Sequence, residues 1–223
     1  MKSCAFINPP ASLDSISPCN QEEADSRILL HVAAAAQEGY PRVLIRTNDS
    51  DVIVIATSLY KQIQGLKELW VAYGTGSNVQ YLAIHDIAHL LGVKAPLLGA
   101  FHSLTGSDTT SSFFGKGKKS AWKIWQDYPE LTYALKIMSK PNLQVDDVLQ
   151  VMPLIEKFTV LLYGVTDKGI SSVNEARAHL FDKGRDFENL PPCGDTLQLH
   201  VLRSSYQVCM HYLKDEYPTS LKV

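Results

Sequence analysis

The chain has little of what would assign it quickly. Its four cysteines, Cys4, Cys19, Cys193 and Cys209, lie far apart and form no C-x-x-C pair. That spacing argues against a zinc knuckle or a dithiol redox motif and fits free thiols in a reducing compartment. Positive charge is not in excess: 21 Lys and Arg stand against 23 Asp and Glu, for a formal net charge of −2. Any contact with nucleic acid must therefore come from a local patch. No stretch reads as the ~18 apolar residues of a membrane span. "MKSCAFINPPASLDS" meets Pro9 and Pro10 before the apolar run of a signal peptide can form. Low-complexity tracts, long linkers, internal repeats, a P-loop and a G-x-S-x-G elbow are all missing. These absences predict a nuclear or cytoplasmic protein that is neither secreted nor membrane-bound.

What is present suits an ordinary globular domain: 223 residues, 45% hydrophobic and 20% charged. That length allows one α/β domain with a helical extension. Residues 1–19, with Pro9, Pro10 and Pro18, read as a poorly ordered lead-in. "NQEEADSRILLHVAAAAQEG" reads as a helix capped by Asn20, with Glu23 three residues on and Gly39 as its stop. "RVLIRT", "LKELWVAYG" and "NVQYLAI" read as strands, the last two joined by a Gly-rich turn. The apolar run Val52–Ala56 that follows the acids of "TNDSD" also reads as strand. "HDIAHLLG" reads as a short helix, and helices dominate the remainder. The expectation is an α/β fold with an open, mostly parallel sheet flanked by helices. Its main domain would span 20–140 and a helical subdomain 141–223.

Three acidic groups sit at the ends of apolar elements: Glu23 and Asp25, Asp49 and Asp51, and Asp108. Each has a plain structural reading. Acids in a helix's first turn favour the macrodipole, Asp49 can form an Asx-turn, and Asp108 can cap the next helix. Taken singly, those readings are the commoner ones. Converging in one fold, the five carboxylates would repel unless a cation sat among them. Hard cations take such oxygen ligands, and in open α/β sheets ligands sit beyond the carboxyl ends of strands, where "NDSD" follows "RVLIRT".

Four motifs in order then carry a resemblance. Glu23-Ala24-Asp25-Ser26 opens a helix, Thr47-Asn48-Asp49-Ser50-Asp51 follows a strand, and Leu104-Thr105-Gly106-Ser107-Asp108 ends an apolar stretch. Gly115-Lys116-Gly117-Lys118-Lys119-Ser120-Ala121 comes next. Over residues 20–126 this order resembles the second half of the flap endonuclease/XPG nuclease domain, a PIN-like fold, and a group of PIN-like proteins of animal genomes. The resemblance implies a nuclease module in which Asp49, Asp51 and Asp108 are the principal ligands of Mg²⁺ or Mn²⁺, two ions in a complete site. Glu23 and Asp25 would lie beside them, and Asp25 stands where the family has a second Glu. It also implies further acids and a central strand from an N-terminal half that residues 1–19 do not supply. A preceding segment or partner would then complete the sheet, and the site would be partial. The alternative is an inactive nucleic-acid-binding or protein-interaction module on the same fold.

Lys116, Lys118, Lys119 and Lys123 are the densest basic cluster of the chain, with Gly115 and Gly117 allowing a tight turn. By resemblance this is a helix–two-turn–helix that grips a nucleic-acid backbone, DNA above all, with K⁺ at the hairpin. Its plain reading is a solvated loop. His85 and His89 in "HDIAH" share a helix face as in H-E-x-x-H, but Asp86 stands in place of the Glu. A zinc hydrolase is therefore the weakest reading, and surface histidines the stronger one. Trp70, Trp122 and Trp125 are expected in the core.

Overall fold

In a computed structural model, the structure describes residues 24–140, 142–167 and 169–210. The expected lead-in, Asn20 as a cap, and Glu23, Cys4 and Cys19 lie outside them. Helix α1 (Ala24–Gln37) buries Leu29, Val32 and Ala36 at helical spacing and ends before Gly39, which takes φ +93°. Strand β1 (Arg42–Thr47) then leads directly into helix α2 (Ser50–Leu59). Strands β2 (Glu68–Tyr73) and β3 (Gln80–Ala83) follow, then α3 (Ile84–Leu91), α4 (Leu98–Leu104) and α5 (Lys118–Asp127). Helices α6 (Leu131–Met138), α7 (Val145–Leu162), α8 (Val173–Asp182) and α9 (Gly194–Met210) follow among the described residues.

The fold is α/β, with one correction to the sheet. Among the described residues it has three strands in the order β1-β2-β3, and it is mixed rather than mostly parallel. Strands β1 and β2 run parallel with Thr47 level with Tyr73, whereas β2 and β3 are antiparallel with Tyr73 opposite Gln80. The reason is local. Only six residues join Tyr73 to Gln80, and Gly74 at φ +109° turns the chain straight back, too short a link for a parallel crossover.

A second correction concerns the run after the acids, which is helix α2 and not strand. Val52, Ile55, Ala56 and Leu59 fall on one face and are buried between α1, α3 and α4. Five β-branched and small apolar residues in a row carry no period of their own, so the cap and the neighbours decide. A third concerns hydropathy. The stretch Ile84–Leu104 is long and apolar enough, at mean hydropathy 1.2, to match a membrane span by composition. Gly92 at φ +56° and Pro96 divide it into α3, a 3₁₀ segment and α4, and half of it is buried in the protein.

Two hydrophobic cores meet near Ala95–Leu97. One joins α1, α2, α3 and the inner face of the sheet, including Ile45, Leu69, Val71 and Ile84. The other runs from Leu97 to Cys209 and centres on Trp125, Phe158 and Leu135. Trp125 is fully buried and donates its indole N–H to Thr132, while Trp122 packs at its side. Helix α4 links the two cores, packing on α2 and on α9.

Candidate functional site: a carboxylate cleft beside a lysine hairpin

Thr47 and Tyr73, the paired last residues of β1 and β2, form the floor of an open cleft of about 490 Å³. Asn48, Asp49, Ser50 and Asp51 line it from the β1–α2 turn, and Asp108 from the loop after α4. The cleft lies beyond the carboxyl ends of the two parallel strands, where such sheets bind ligands. Three of the five acids singled out in the sequence therefore share one surface. Asp25 is half-buried in the first turn of α1 and is not among the cleft's lining residues. Glu23 lies outside the described residues.

Local chemistry explains how Asp49 and Asp51 tolerate each other. Asp49 is the N-cap of α2: its Oδ1 accepts the backbone N–H of Asp51 at 2.8 Å, and its own N–H is held by Thr47 Oγ1 at 3.0 Å. Both carboxylates thus lie at the positive end of a helix dipole, which offsets their repulsion. Asp49 keeps Oδ2 for a further partner. Asp51 Oδ1 lies 3.1 Å from Nε2 of His102, a buried residue of α4. Asp108 is exposed and does not cap a helix. It rides on a turn closed by reciprocal backbone hydrogen bonds between Ser107 and Thr110.

That turn is held from below by the C-terminus of α4, whose carbonyls all find partners. Thr105 Oγ1 donates to the carbonyl of Phe101 at 2.7 Å, and Thr110 Oγ1 to that of Ser103 at 2.7 Å. From α9, Ser204 Oγ also donates to Ser103, at 3.1 Å, and His200 Nε2 lies 2.8 Å from the Leu104 carbonyl. Lys118 Nζ donates to the His102 carbonyl at 3.1 Å, to Thr105 Oγ1 at 3.2 Å, and to the Gly106 carbonyl. Burial lowers the Lys118 pKa, while the negative charge of Asp51 raises it. The residue is exposed, yet its ammonium meets two carbonyls and a hydroxyl.

The remaining hairpin residues are arranged as follows. Gly115 takes φ +67°, and Gly117 is the N-cap of α5. Lys116 lies 4.9 Å over the ring of Tyr163, and its pKa is lowered by burial and then by Arg185. Lys119 and Lys123 are exposed on α5. His85 sets Nδ1 3.1 Å from the Leu69 carbonyl and packs on Trp70, and His89 packs edge-on to Tyr60. Among the described residues no three His, Cys, Asp or Glu side chains stand close enough together to enclose a metal ion. Zinc at His85 and His89 therefore has no third ligand there. A divalent cation in the aspartate cleft would rest on one or two carboxylates and keep most of its water, which suits Mg²⁺.

Sequence reasoning missed His102, His200 and Ser204. A signal existed: His200 and Ser204 are four apart on the α9 face that buries Leu197, Val201 and Val208, so two polar residues interrupt an apolar stripe. Compared with protein-family models, with curated proteins and with solved structures, the chain finds no match.

Proposed function

We propose that the chain is a PIN-like, flap-endonuclease-like nuclease module that acts on nucleic-acid phosphodiesters with Mg²⁺ or Mn²⁺. The observation that carries this reading is the meeting of Asp49, Asp51 and Asp108, from two separate loops, at the carboxyl ends of β1 and β2. Their free oxygens are the hard donors such an ion takes, so Asp49 and Asp51 would hold it with Asp108 opposite. When bound, the ion supplies an activated water and neutralises charge on the phosphodiester. The protein's own groups do the rest. His102 stands 3.1 Å from Asp51, and the α4 end holds the turn that carries Asp108. Lys119 and Lys123 attract the backbone without reading sequence.

A second reading is favoured by one observation: no three acidic side chains among the described residues form a closed cage. On that reading the module binds nucleic acid and turns it over slowly or not at all. One experiment decides between them. The purified chain is titrated with Mn²⁺ and then offered single-stranded and branched DNA in Mg²⁺ or Mn²⁺. Metal-dependent cleavage that Asp49→Asn and Asp108→Asn both abolish supports the nuclease. Salt-sensitive binding without cleavage supports the second reading, and neither binding nor cleavage sinks both.

A further inference from the structure

A second cleft is lined in part by the loop that carries Asp108. Its volume is about 360 Å³, and Ser111, Phe114, Tyr163, Leu199, His200 and Arg203 are among its walls. We propose that this cleft is a subsite for one unpaired nucleobase of a single strand. The proposal rests on the nucleic-acid reading above and adds to it what kind of strand the site takes.

Four observations point the same way. First, Phe114 is an aromatic side chain left 56% exposed at the mouth, beside Leu199 at 56%. A large apolar ring kept in water beside a cavity is the arrangement of a stacking platform, because every base has a face to lay on it. Second, the lining also includes polar groups. Ser111 supplies a hydroxyl, and Arg203 supplies an exposed guanidinium that can stack or meet a phosphate. Third, His200 is only 9% exposed, yet its Nδ1 has no hydrogen-bond partner. Its Nε2–H is committed to the Leu104 carbonyl, so Nδ1 is left as a bare acceptor. Burial also holds the ring neutral by lowering its pKa. His200 thus lines the cleft as an uncharged aromatic surface, which suits a neutral base. Fourth, the cleft adjoins the lysine hairpin: Tyr163 forms part of its wall and lies under Lys116. A phosphate near Lys116 would thus sit next to a base entering the cleft.

A base reaches the cleft only by leaving a duplex stack, so a duplex must open to use the site. Ser111 in its wall is only three residues along the same loop from Asp108 in the aspartate cleft. A base held here would fix the backbone's direction through the aspartate cleft.

The test uses the full chain in EDTA, which keeps the strand intact. The probe is a 12-nucleotide single strand carrying 2-aminopurine, compared with the same strand carrying abasic sites. Binding is expected to quench the 2-aminopurine emission, and the abasic strand is expected to bind about tenfold more weakly, the size of one lost stack. Phe114→Ala should remove both effects and Phe114→Tyr should restore them. Phe114 is exposed, so neither change disturbs the core. Arg203→Ala should weaken binding more than Lys61→Ala, which removes one exposed positive charge from the other core. Equal affinity for normal and abasic strands, or full quenching by Phe114→Ala, overturns the subsite while leaving salt-dependent binding to support the proposed function. Failure of any strand to bind at low salt overturns both.

Discussion

At the scale of single residues, Asp49 has two jobs that chemistry can separate. Its carboxylate caps α2, and it offers a charged oxygen to the cleft. Asparagine caps a helix about as well as aspartate but carries no charge, whereas alanine does neither. Asp49→Asn should therefore leave stability to urea unchanged and weaken Mn²⁺ binding. Asp49→Ala should weaken binding too and cost about 1 kcal/mol of stability. Mn²⁺ affinity retained by Asp49→Asn would reduce Asp49 to a cap. His200 gives a prediction with a definite sign. Burial holds its pKa below the ordinary 6.5 in the folded protein. Between that lowered value and 6.5 the unfolded chain binds more protons, so stability rises with pH through this window and falls on acidification. His200→Gln should flatten the difference in melting temperature between pH 7.5 and pH 5.5. The cysteines differ as sharply. Cys193 is exposed, and the Thr196 hydroxyl lowers its pKa, whereas burial pushes Cys209 up to about 11. Brief alkylation of the native protein, mapped by peptide mass, should label Cys193 well before Cys209.

At the scale of elements, the end of α4 is the part on which the site depends. A seven-residue helix cannot bond its own last carbonyls, so Thr105, Thr110, Lys118, His200 and Ser204 satisfy them. Gly106 then turns the chain at φ +105°, and a Cβ there would stand 2.6 Å from Ser112 Cβ. Gly106→Ala meets both a strained backbone and a clash. It should cost more than about 1 kcal/mol in urea unfolding and lower Mn²⁺ affinity by displacing Asp108. A fully stable Gly106→Ala protein with unchanged affinity would show that the loop adapts. Helix α2 teaches a different lesson. Its apolar run favours neither strand nor helix by composition, and the Asp49 cap together with burial against α1, α3 and α4 selects the helix.

At the scale of the whole molecule, two cores share α4, and the sheet is narrow. Strand β1 is an edge strand among the described residues, with Leu44 55% exposed between Arg42 and Arg46. An exposed apolar residue on an unpaired edge invites association with another strand, and flanking charges oppose it. Leu44→Lys should leave stability within about 0.5 kcal/mol and reduce self-association at high concentration, measured by light scattering. Unchanged scattering would mean that the edge is already covered.

The sequence by itself determined the local features of this protein. Capping residues, glycine stops and turn residues act within a few positions, so β1, β2, β3, α3 and the C-terminal helices were legible before any contact was known. The order of acids at element ends was legible for the same reason. Tertiary structure alone decided which acids meet. Asp51 and Asp108 are brought together by α4, and the end of that helix is fixed by α9 side chains about a hundred positions later. Such contacts leave no mark on local propensity, because a histidine or serine that caps a distant carbonyl looks, in the chain, like any other polar residue. Pairing direction in the sheet and the helical state of α2 were decided likewise by link length and burial, which exist only once the elements have packed.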